Sequence, residues 1–192
     1  MAMKLHVIIC STRPTRLGPA VARWFHGFAV KDGRFDAELV DLASFNLPVF
    51  DEPEHPGQRH YRHEHTKAWS ASVEAADAYV FVTPEYNYGP PPALLNALDY
   101  VYHEWAYKPA GLVSYGGISG GLRSAQMIKL TLTALNMMPV PAGVPIPNFS
   151  QLIDAEKKTF KSNELIDKSA KTMLDQLIRW ADALRHAREK AG

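Results

Sequence analysis

Residues 78–100 read AYVFVTPEYNYGPPPALLNALDY, and the predicted fold class follows from this stretch. It opens with an apolar run, 78–82, that is typical of a strand buried on both faces of a parallel sheet. Apolar side chains then recur from Leu94 through Leu98 to Tyr102 at the spacing of one helix face. A loop rich in tyrosine and proline joins the two segments. A strand that passes through such a loop into a helix predicts a ligand site at the carboxyl edge of a parallel sheet.

The rest of the chain repeats this alternation of strand and helix. Predicted strands cover residues 4–10, 35–41, 77–83, 109–114 and, interrupted by prolines at an edge, 138–146. Predicted helices cover residues 18–30, 61–75, 91–105, 121–135 and 163–190. Such alternation indicates an α/β protein whose parallel sheet is covered on both faces. We therefore predict a flavodoxin-like three-layer sandwich with a five-stranded parallel sheet of order 2-1-3-4-5 and helices on both faces.

Composition and charge are those of an ordinary globular protein. The 192 residues are 46% apolar and 21% charged, which suits one domain spanning residues 1–192. A net charge of +1 argues against nucleic acid or a membrane surface as partner. The single cysteine, Cys10, excludes an internal disulfide and is expected to be a buried strand residue. Because no signal peptide precedes the first strand and no apolar run approaches ~20 residues, we expect a cytoplasmic protein.

The segment 11–18, STRPTRLG, follows the first strand and suits a phosphate group. Its hydroxyls and backbone N–H groups converge at the start of a helix, where the helix dipole favours an anion. Arg13 and Arg16 together can balance the charge of a terminal phosphate, and Gly18 permits close backbone approach. The Walker A and GxGxxG patterns are absent, which disfavours a nucleoside triphosphate or an ordinary dinucleotide fold. The alternative is a polar turn with its arginines at the surface.

The loop 84–92 suits a planar ring. Its prolines stiffen it, which lowers the entropy lost when a ligand binds. Backbone groups of Glu85, Tyr86 and Asn87 can read the polar edge of a heterocycle. The ring of Tyr86 or Tyr88 can lie along its aromatic face. We interpret the Glu85 carboxylate as a capping or positioning group. The alternative is an aromatic and proline-rich turn that packs on the next helix.

Four glycines mark the loop 115–121, YGGISGG, after the fourth strand. They let the main chain approach a ligand with no side chain between, so that N–H groups can stabilise negative charge on a reduced ring. Ser119 and Arg123 are additional candidates, and Arg123 is interpreted equally well as a surface salt bridge or a ligand contact. The alternative is that a tight turn alone requires the glycines.

In this order, the motifs STRPTRLGP, TPEYNYGPPPALLNALDY and SYGGISGG resemble those of the NADPH-dependent FMN reductases. The resemblance covers residues 4–145 and departs from the family at Leu17 and Pro19, where serine and asparagine are more usual. It implies FMN as cofactor and NADPH as co-substrate, with no catalytic side chain and no metal. The FMN-binding residues that it implies are Ser11, Arg13, Thr15, Arg16, Leu17, Gly18, Pro84, Glu85, Tyr86, Asn87, Tyr88, Ser114, Tyr115, Gly116 and Gly117.

The implied activity is ping-pong transfer of hydride from NADPH to bound FMN and on to a small acceptor. A quinone, an azo compound, a metal oxyanion or free flavin suits an open site over the ring. The resemblance also implies a homodimer or homotetramer that associates through a helix running from Pro91 to Trp105. Two alternatives remain open. One is a flavodoxin-like electron carrier, which the charge of +1 disfavours, and the other is a nonenzymatic flavin-binding sensor.

The long loop 47–58 contains several prolines, and its length favours a functional role. We hypothesise that it covers the flavin pocket of a neighbouring subunit. His55, His60, His63 and His65 lie in or just after this loop without the spacing of a metal motif. They indicate a solvated loop and helix start.

Overall fold

A computed structural model describes residues 2–154, 156 and 158–191. Its β-strands are β1 (Met3–Ile9), β2 (Phe35–Asp41), β3 (Ala78–Pro84), β4 (Pro109–Tyr115), β5 (Met138–Pro139), β6 (Val144–Ile146), β7 (Ile153–Asp154) and β8 (Thr159–Phe160). Its α-helices are α1 (Gly18–Asp32), α2 (Glu64–Glu74), α3 (Pro92–Asp99), α4 (Leu122–Ala134) and α5 (Glu164–Ala191). The predicted alternation of strands and helices is confirmed, and the short antiparallel pair β7–β8 is an addition to it.

The main sheet is parallel and has the order β2-β1-β3-β4-β5, which confirms the predicted flavodoxin-like arrangement. β6 also pairs with β4, farther along that strand. The fifth position, predicted as one strand over 138–146, thus holds two short strands. Pro139, Pro141 and Pro145 lack the N–H group that a continuous ladder needs, which accounts for the interruption.

Helices cover both faces of this sheet. α1 and α5 pack on one face, over β1 residues such as Leu5. α2, α3 and α4 pack on the other, over Ile8 and Cys10. α5 buries an apolar face that runs from Ile166 to Ala181. Burial of Cys10 raises the pKa of its thiol. In the described part of the chain, no helix combines the length and the apolar character needed to cross a membrane.

The helix predicted over 91–105 is shorter than expected. α3 ends at Asp99, and Trp105 lies in a separate 3-10 turn, His103–Trp105. The indole N–H of Trp105 donates to the carbonyl of Leu98 over 3.3 Å. The apolar residues that follow α3 therefore reach the core because the chain folds back. Their spacing matches a continuing helix face by coincidence.

Several strands deliver their loops to the same edge of the sheet. β1 and β3 run side by side in register, and so do β3 and β4. Past the end of β3, Glu85 N donates to Tyr115 O over 3.1 Å, and past β4, Gly116 N donates to Ile146 O over 3.3 Å. The three loops singled out in the sequence consequently leave the sheet next to one another, at its carboxyl edge.

Candidate functional site

A pocket of about 290 Å³ opens where the three loops meet. Predicted residues from all three loops line it, namely Ser11, Arg13, Arg16, Leu17, Pro84, Glu85, Tyr86, Tyr115 and Gly116. The remaining predicted residues are also described by the structure but lie outside this lining: Thr15, Gly18, Asn87, Tyr88, Ser114 and Gly117. The structure thus brings together most of the predicted set around one pocket, and the rest belong to the same loops or to the elements that adjoin them.

The first loop leads into an α1 N-terminus that no side chain in the described part of the chain caps. Leu17 occupies the N-cap position, and the first turn of α1 holds no acidic residue. The partial positive charge of the helix N-terminus is therefore available to an anion. Gly18 is buried there, and a Cβ atom at this position would lie 2.5 Å from the Tyr115 hydroxyl. Glycine at this position lets the Tyr115 side chain reach the start of α1.

The two arginines of the first loop are not equivalent. The Arg16 guanidinium donates to the Asp41 carboxylate over 2.6 Å, and its side chain is 17% exposed. The Arg13 side chain is exposed at the pocket, and among residues 2–154, 156 and 158–191 its guanidinium has no hydrogen-bond or ion-pair partner. Asp41 already matches the charge of Arg16, so Arg13 is the uncompensated cation of the loop, whereas the sequence predicted that both arginines balance the phosphate.

The second loop closes in a tight turn. Tyr86 and Gly89 exchange two backbone hydrogen bonds of 2.9 Å. Between them, Asn87 and Tyr88 have φ values of 48° and 71°, the signs of a type I′ turn, and such values strain tyrosine more than asparagine. The Tyr86 and Ser11 hydroxyls share a 2.6 Å hydrogen bond, which joins the second loop to the first. This bond holds the Tyr86 side chain at the wall of the pocket.

Glu85 joins the second loop to the third. Its carboxylate accepts hydrogen bonds from Ser119 Oγ over 3.0 Å, from Arg123 Nε over 2.7 Å and from Arg123 N over 3.2 Å. Burial alone would raise the pKa of Glu85, but the hydrogen bonds from Arg123 and Ser119 outweigh it and hold that pKa below its usual value. Since Arg123 N belongs to the first turn of α4, the Glu85 carboxylate caps this turn and holds the Arg123 side chain in place.

The third loop depends on glycine for its geometry. Gly121 has a φ of 79°, and a Cβ atom there would lie 2.6 Å from Tyr115 N. The Ser114 hydroxyl donates to the Gly120 carbonyl over 2.9 Å, so this serine is buried under the loop. Gly116 reaches the pocket with no side chain between its backbone and a ligand. A tight turn and close approach to the pocket thus both require glycine here.

The profile of the family described as NADPH-dependent FMN reductase matches residues 3–151. The chain belongs to this family. An NAD(P)H-dependent FMN reductase of Schizosaccharomyces pombe is 47% identical over 126 residues, covering 65% of this chain and 63% of that relative, which is less than two thirds of its length. One of Saccharomyces cerevisiae is 35% identical over 164 residues, covering 76% of this chain and 85% of the relative. The structure of FerB, a flavoenzyme NAD(P)H:(acceptor) oxidoreductase from Paracoccus denitrificans, has the same fold, with a TM-score of 0.70, 21% identity and coverage of 96% and 98% of the two chains.

The donor set of the pocket fits the FMN that this family uses. An uncapped helix N-terminus and the unpaired Arg13 guanidinium suit a phosphate. Pro84 and the Tyr86 side chain offer flat surfaces, and Gly116 offers main chain, as a planar heterocycle requires. Family membership confirms FMN as the cofactor expected from the sequence, and the residues of the pocket fit it.

Phe149 also lines the pocket, although it was not predicted from the sequence. It begins a 3-10 turn, Phe149–Leu152, soon after β6. Its ring centroid lies 4.8 Å from that of Tyr115, and its N–H donates to Gly116 O over 3.3 Å. The available signal was its place in the chain, since it closely follows a strand that ends at the ligand edge.

The histidines near the long loop pair with acidic side chains of that loop. His65 Nε2 lies 3.1 Å from Asp51 Oδ1, and His60 Nδ1 lies 3.0 Å from Glu54 Oε2. Among the residues that the structure describes, no group of three or more His, Cys, Asp or Glu side chains is arranged to hold a metal ion. These contacts attach the loop 47–58 to the chain just before and at the start of α2.

Proposed function

We propose that this protein is an NAD(P)H-dependent FMN oxidoreductase that passes electrons from NADPH to a small acceptor. The observation that carries the proposal is the pocket where three loops converge, with an unpaired arginine and walls of proline, tyrosine and bare main chain. A bound flavin supplies the redox chemistry, because it accepts a hydride from a nicotinamide and delivers two electrons to an acceptor. The acceptor classes that suit an open pocket are quinones, azo compounds, metal oxyanions and free flavin.

We assign the first loop to the FMN phosphate. Arg13 offers an unpaired guanidinium, and the hydroxyls of Ser11 and Thr15 lie in the same loop before the uncapped end of α1. Charge-assisted hydrogen bonds are about twice as strong as neutral ones, so Arg13 is the main contributor. Arg16 supports the loop through its ion pair, and residues 17–18 contribute their backbone.

We assign the second and third loops to the flavin ring. Pro84 and Tyr86 supply one wall, and the backbone of residues 85–88 reads the polar edge of the ring. Tyr115 and Gly116 line the pocket from the third loop, with the rest of 114–117 as support. Burial raises the pKa of the Tyr115 phenol, which favours the protonated form that can donate a hydrogen bond.

We further propose a homodimer or homotetramer that associates through α3 and the adjoining loop 47–58. Leu95 on α3 is 37% exposed, and Val49 and Phe50 in the loop are 89% and 37% exposed. Phe50 N donates to Asn96 Oδ1 over 2.9 Å, which holds the loop against α3. A second copy that covers these apolar side chains would bring the loop to the pocket of its neighbour. Sedimentation equilibrium measures the assembly, and a monomer would contradict this part of the proposal.

A single domain over residues 1–192 and a cytoplasmic location complete the proposal. Cys10 is a free and fully buried thiol, as suits a reducing compartment. The alternation of strands and helices around one sheet supports a single unit.

An anaerobic absorbance scan of the FMN-loaded protein, before and after addition of NADPH, tests the activity. We expect the visible flavin band to bleach and then to return when a quinone is added. Bound FMN that does not bleach would overturn the reductase in favour of an electron carrier or a sensor. Bleaching without consumption of any acceptor would also favour a sensor. A protein that binds no FMN would overturn the assignment of all three loops.

A further inference from the structure

The Arg123 side chain is held by Glu85, a residue that lines the pocket. Its Nε donates to Glu85 Oε1 over 2.7 Å, and its backbone N–H donates to Glu85 Oε2 over 3.2 Å. The Glu85 side chain that holds it is 8% exposed, whereas the Arg123 side chain is 46% exposed. The centre of the guanidinium lies 3.9 Å from the ring centroid of Tyr88. A long cationic side chain is thus held rigidly while part of it faces solvent.

The outer edge of this guanidinium is available to a ligand. In the described residues, Arg123 Nη1 and Nη2 have no hydrogen-bond acceptor, so the fork that suits phosphate oxygens is open. The other arginines at the pocket are accounted for, because Arg16 is paired with Asp41 and Arg13 is assigned to the FMN phosphate. Arg123 therefore offers a cationic donor for a second anion at this site.

Tyr88 provides a flat surface beside that donor. Its side chain is 66% exposed even though Arg123 covers one face of the ring, so most of the remaining ring is open to solvent. The residue has a φ of 71°, a conformation that costs a tyrosine free energy and occurs where surrounding structure enforces it. An exposed aromatic ring presented in this way suits stacking by a planar group.

We propose that Arg123 and Tyr88 bind the adenosine 2′-phosphate end of NADPH. The adenine stacks on the open part of the Tyr88 ring, and the 2′-phosphate accepts hydrogen bonds from the Nη groups of Arg123. NADH carries a hydroxyl where NADPH carries this phosphate, so Arg123 sets a preference for NADPH. The inference rests on the proposed function, since it concerns the co-substrate of the same pocket.

Calorimetric titration of the FMN-loaded protein with adenosine 2′,5′-bisphosphate and with 5′-AMP tests the site directly. The two probes differ only in the 2′-phosphate. We expect the wild type to bind the bisphosphate more tightly and Arg123→Gln to lose about tenfold or more of that preference, as for a charged hydrogen bond. Arg23→Gln, which alters an exposed arginine of α1, is the matched control and keeps the preference.

Because Arg123→Gln also breaks the ion pair with Glu85, a second variant tests the site with that ion pair intact. Tyr88→Asn retains the ion pair of Glu85 and Arg123 and places at a positive φ a residue that tolerates it. We expect both probes to bind more weakly to this variant. Unchanged binding of both probes to Tyr88→Asn would overturn the stacking role.

Two outcomes separate this inference from the proposed function. If NADPH and NADH bleach the flavin equally and Arg123→Gln leaves the preference for the bisphosphate unchanged, the site is overturned and the reductase stands. If the bisphosphate binds through Arg123 but neither dinucleotide bleaches the flavin, the phosphate site stands and the reductase is overturned.

Discussion

At the carboxyl edge of the sheet, two arginines in the described part of the chain keep donors that have no protein partner, whereas at the amino edge a buried charge has three partners. Among the described residues, the guanidinium of Arg13 and the Nη groups of Arg123 are unpaired. At the start of β4, the Lys108 ammonium donates to two carbonyls at the end of α2, over 3.1 and 3.0 Å, and to the Tyr79 hydroxyl over 3.3 Å. Lys108 is 5% exposed.

This difference indicates that groups that stabilise the fold lie at one edge of the sheet and groups that bind a ligand lie at the other. A buried charge without partners is costly, so the charge at the amino edge is matched inside the protein. Exposed cations at the carboxyl edge remain hydrated until a ligand arrives, and this costs the fold little. Substitutions at the amino edge should therefore change stability and leave flavin affinity alone, and substitutions at the carboxyl edge should do the reverse.

The largest effect is expected for Lys108→Met. Methionine fills similar space but leaves two carbonyls and the Tyr79 hydroxyl without their shared donor. We expect the free energy of unfolding to fall by about 3 kcal/mol in urea titrations, with FMN affinity unchanged. Lys67→Met, at an α2 side chain that is 50% exposed, is the control and should change stability by less than about 1 kcal/mol.

The pH dependence of the stability difference between the wild type and Lys108→Met tests the same assignment. Burial lowers the pKa of Lys108 to about 8, whereas an unfolded lysine titrates near ~10.4. Between these values the unfolded chain binds the proton and the folded chain does not, so this lysine adds stability as pH rises from 8 to about 10.4. The difference in unfolding free energy between wild type and variant should widen over that range. A constant difference would contradict the assignment.

At the carboxyl edge, Arg13→Ala and Arg16→Ala should differ although both remove a loop arginine. We expect Arg13→Ala to weaken FMN binding about tenfold or more, because it removes an uncompensated charged donor. Arg16→Ala should weaken it less, since Asp41 already neutralises that guanidinium. Fluorescence titration of the apoprotein with FMN measures both affinities. Equal losses would mean that the Arg16 ion pair with Asp41 breaks when the phosphate binds.

Most of the fold follows from local pattern. β2 spans Phe35–Asp41 as predicted, since alternation along a strand is local information. The split of the fifth strand follows from its prolines, whereas the end of α3 depends on what the segment packs against. Trp105 satisfies its indole N–H at Leu98, and such a fold-back is invisible in the spacing of apolar residues.

The location of the site could be predicted from the sequence, because loops that follow neighbouring parallel strands leave the sheet at the same edge. The ion-pair partners of the arginines in the site could not be predicted. Arg16 pairs with Asp41 and Arg123 with Glu85, contacts between residues far apart in sequence that only the folded chain brings together. Each pairing decides whether an arginine is available to a ligand, which residue type alone does not show.

The smallest effect on stability is expected for a substitution of His6 in β1. His6 is buried like Lys108, but its ring nitrogens lack the hydrogen bonds that the Lys108 ammonium makes. His6 is 1% exposed, neither ring nitrogen has a hydrogen-bond partner, and Glu38 Oε2 lies 3.5 Å from Nε2. Burial lowers the pKa of His6, and the charges of Lys4 and Lys108 add to this against the opposing pull of Glu38. The unfolded histidine takes up a proton near ~6.5, before the folded one does, so stability falls as pH drops below that value.

In His6→Val this loss is absent, because no titrating group remains at the position. We expect the unfolding free energy of the variant to fall less steeply than that of the wild type between pH 7 and pH 5, and the two slopes to agree above pH 7.5. Chemical denaturation across this range measures both slopes. A wild type that loses no more stability than the variant would show that Glu38 compensates the buried imidazolium. The interior of the sheet would then match its charges as fully as the amino edge does.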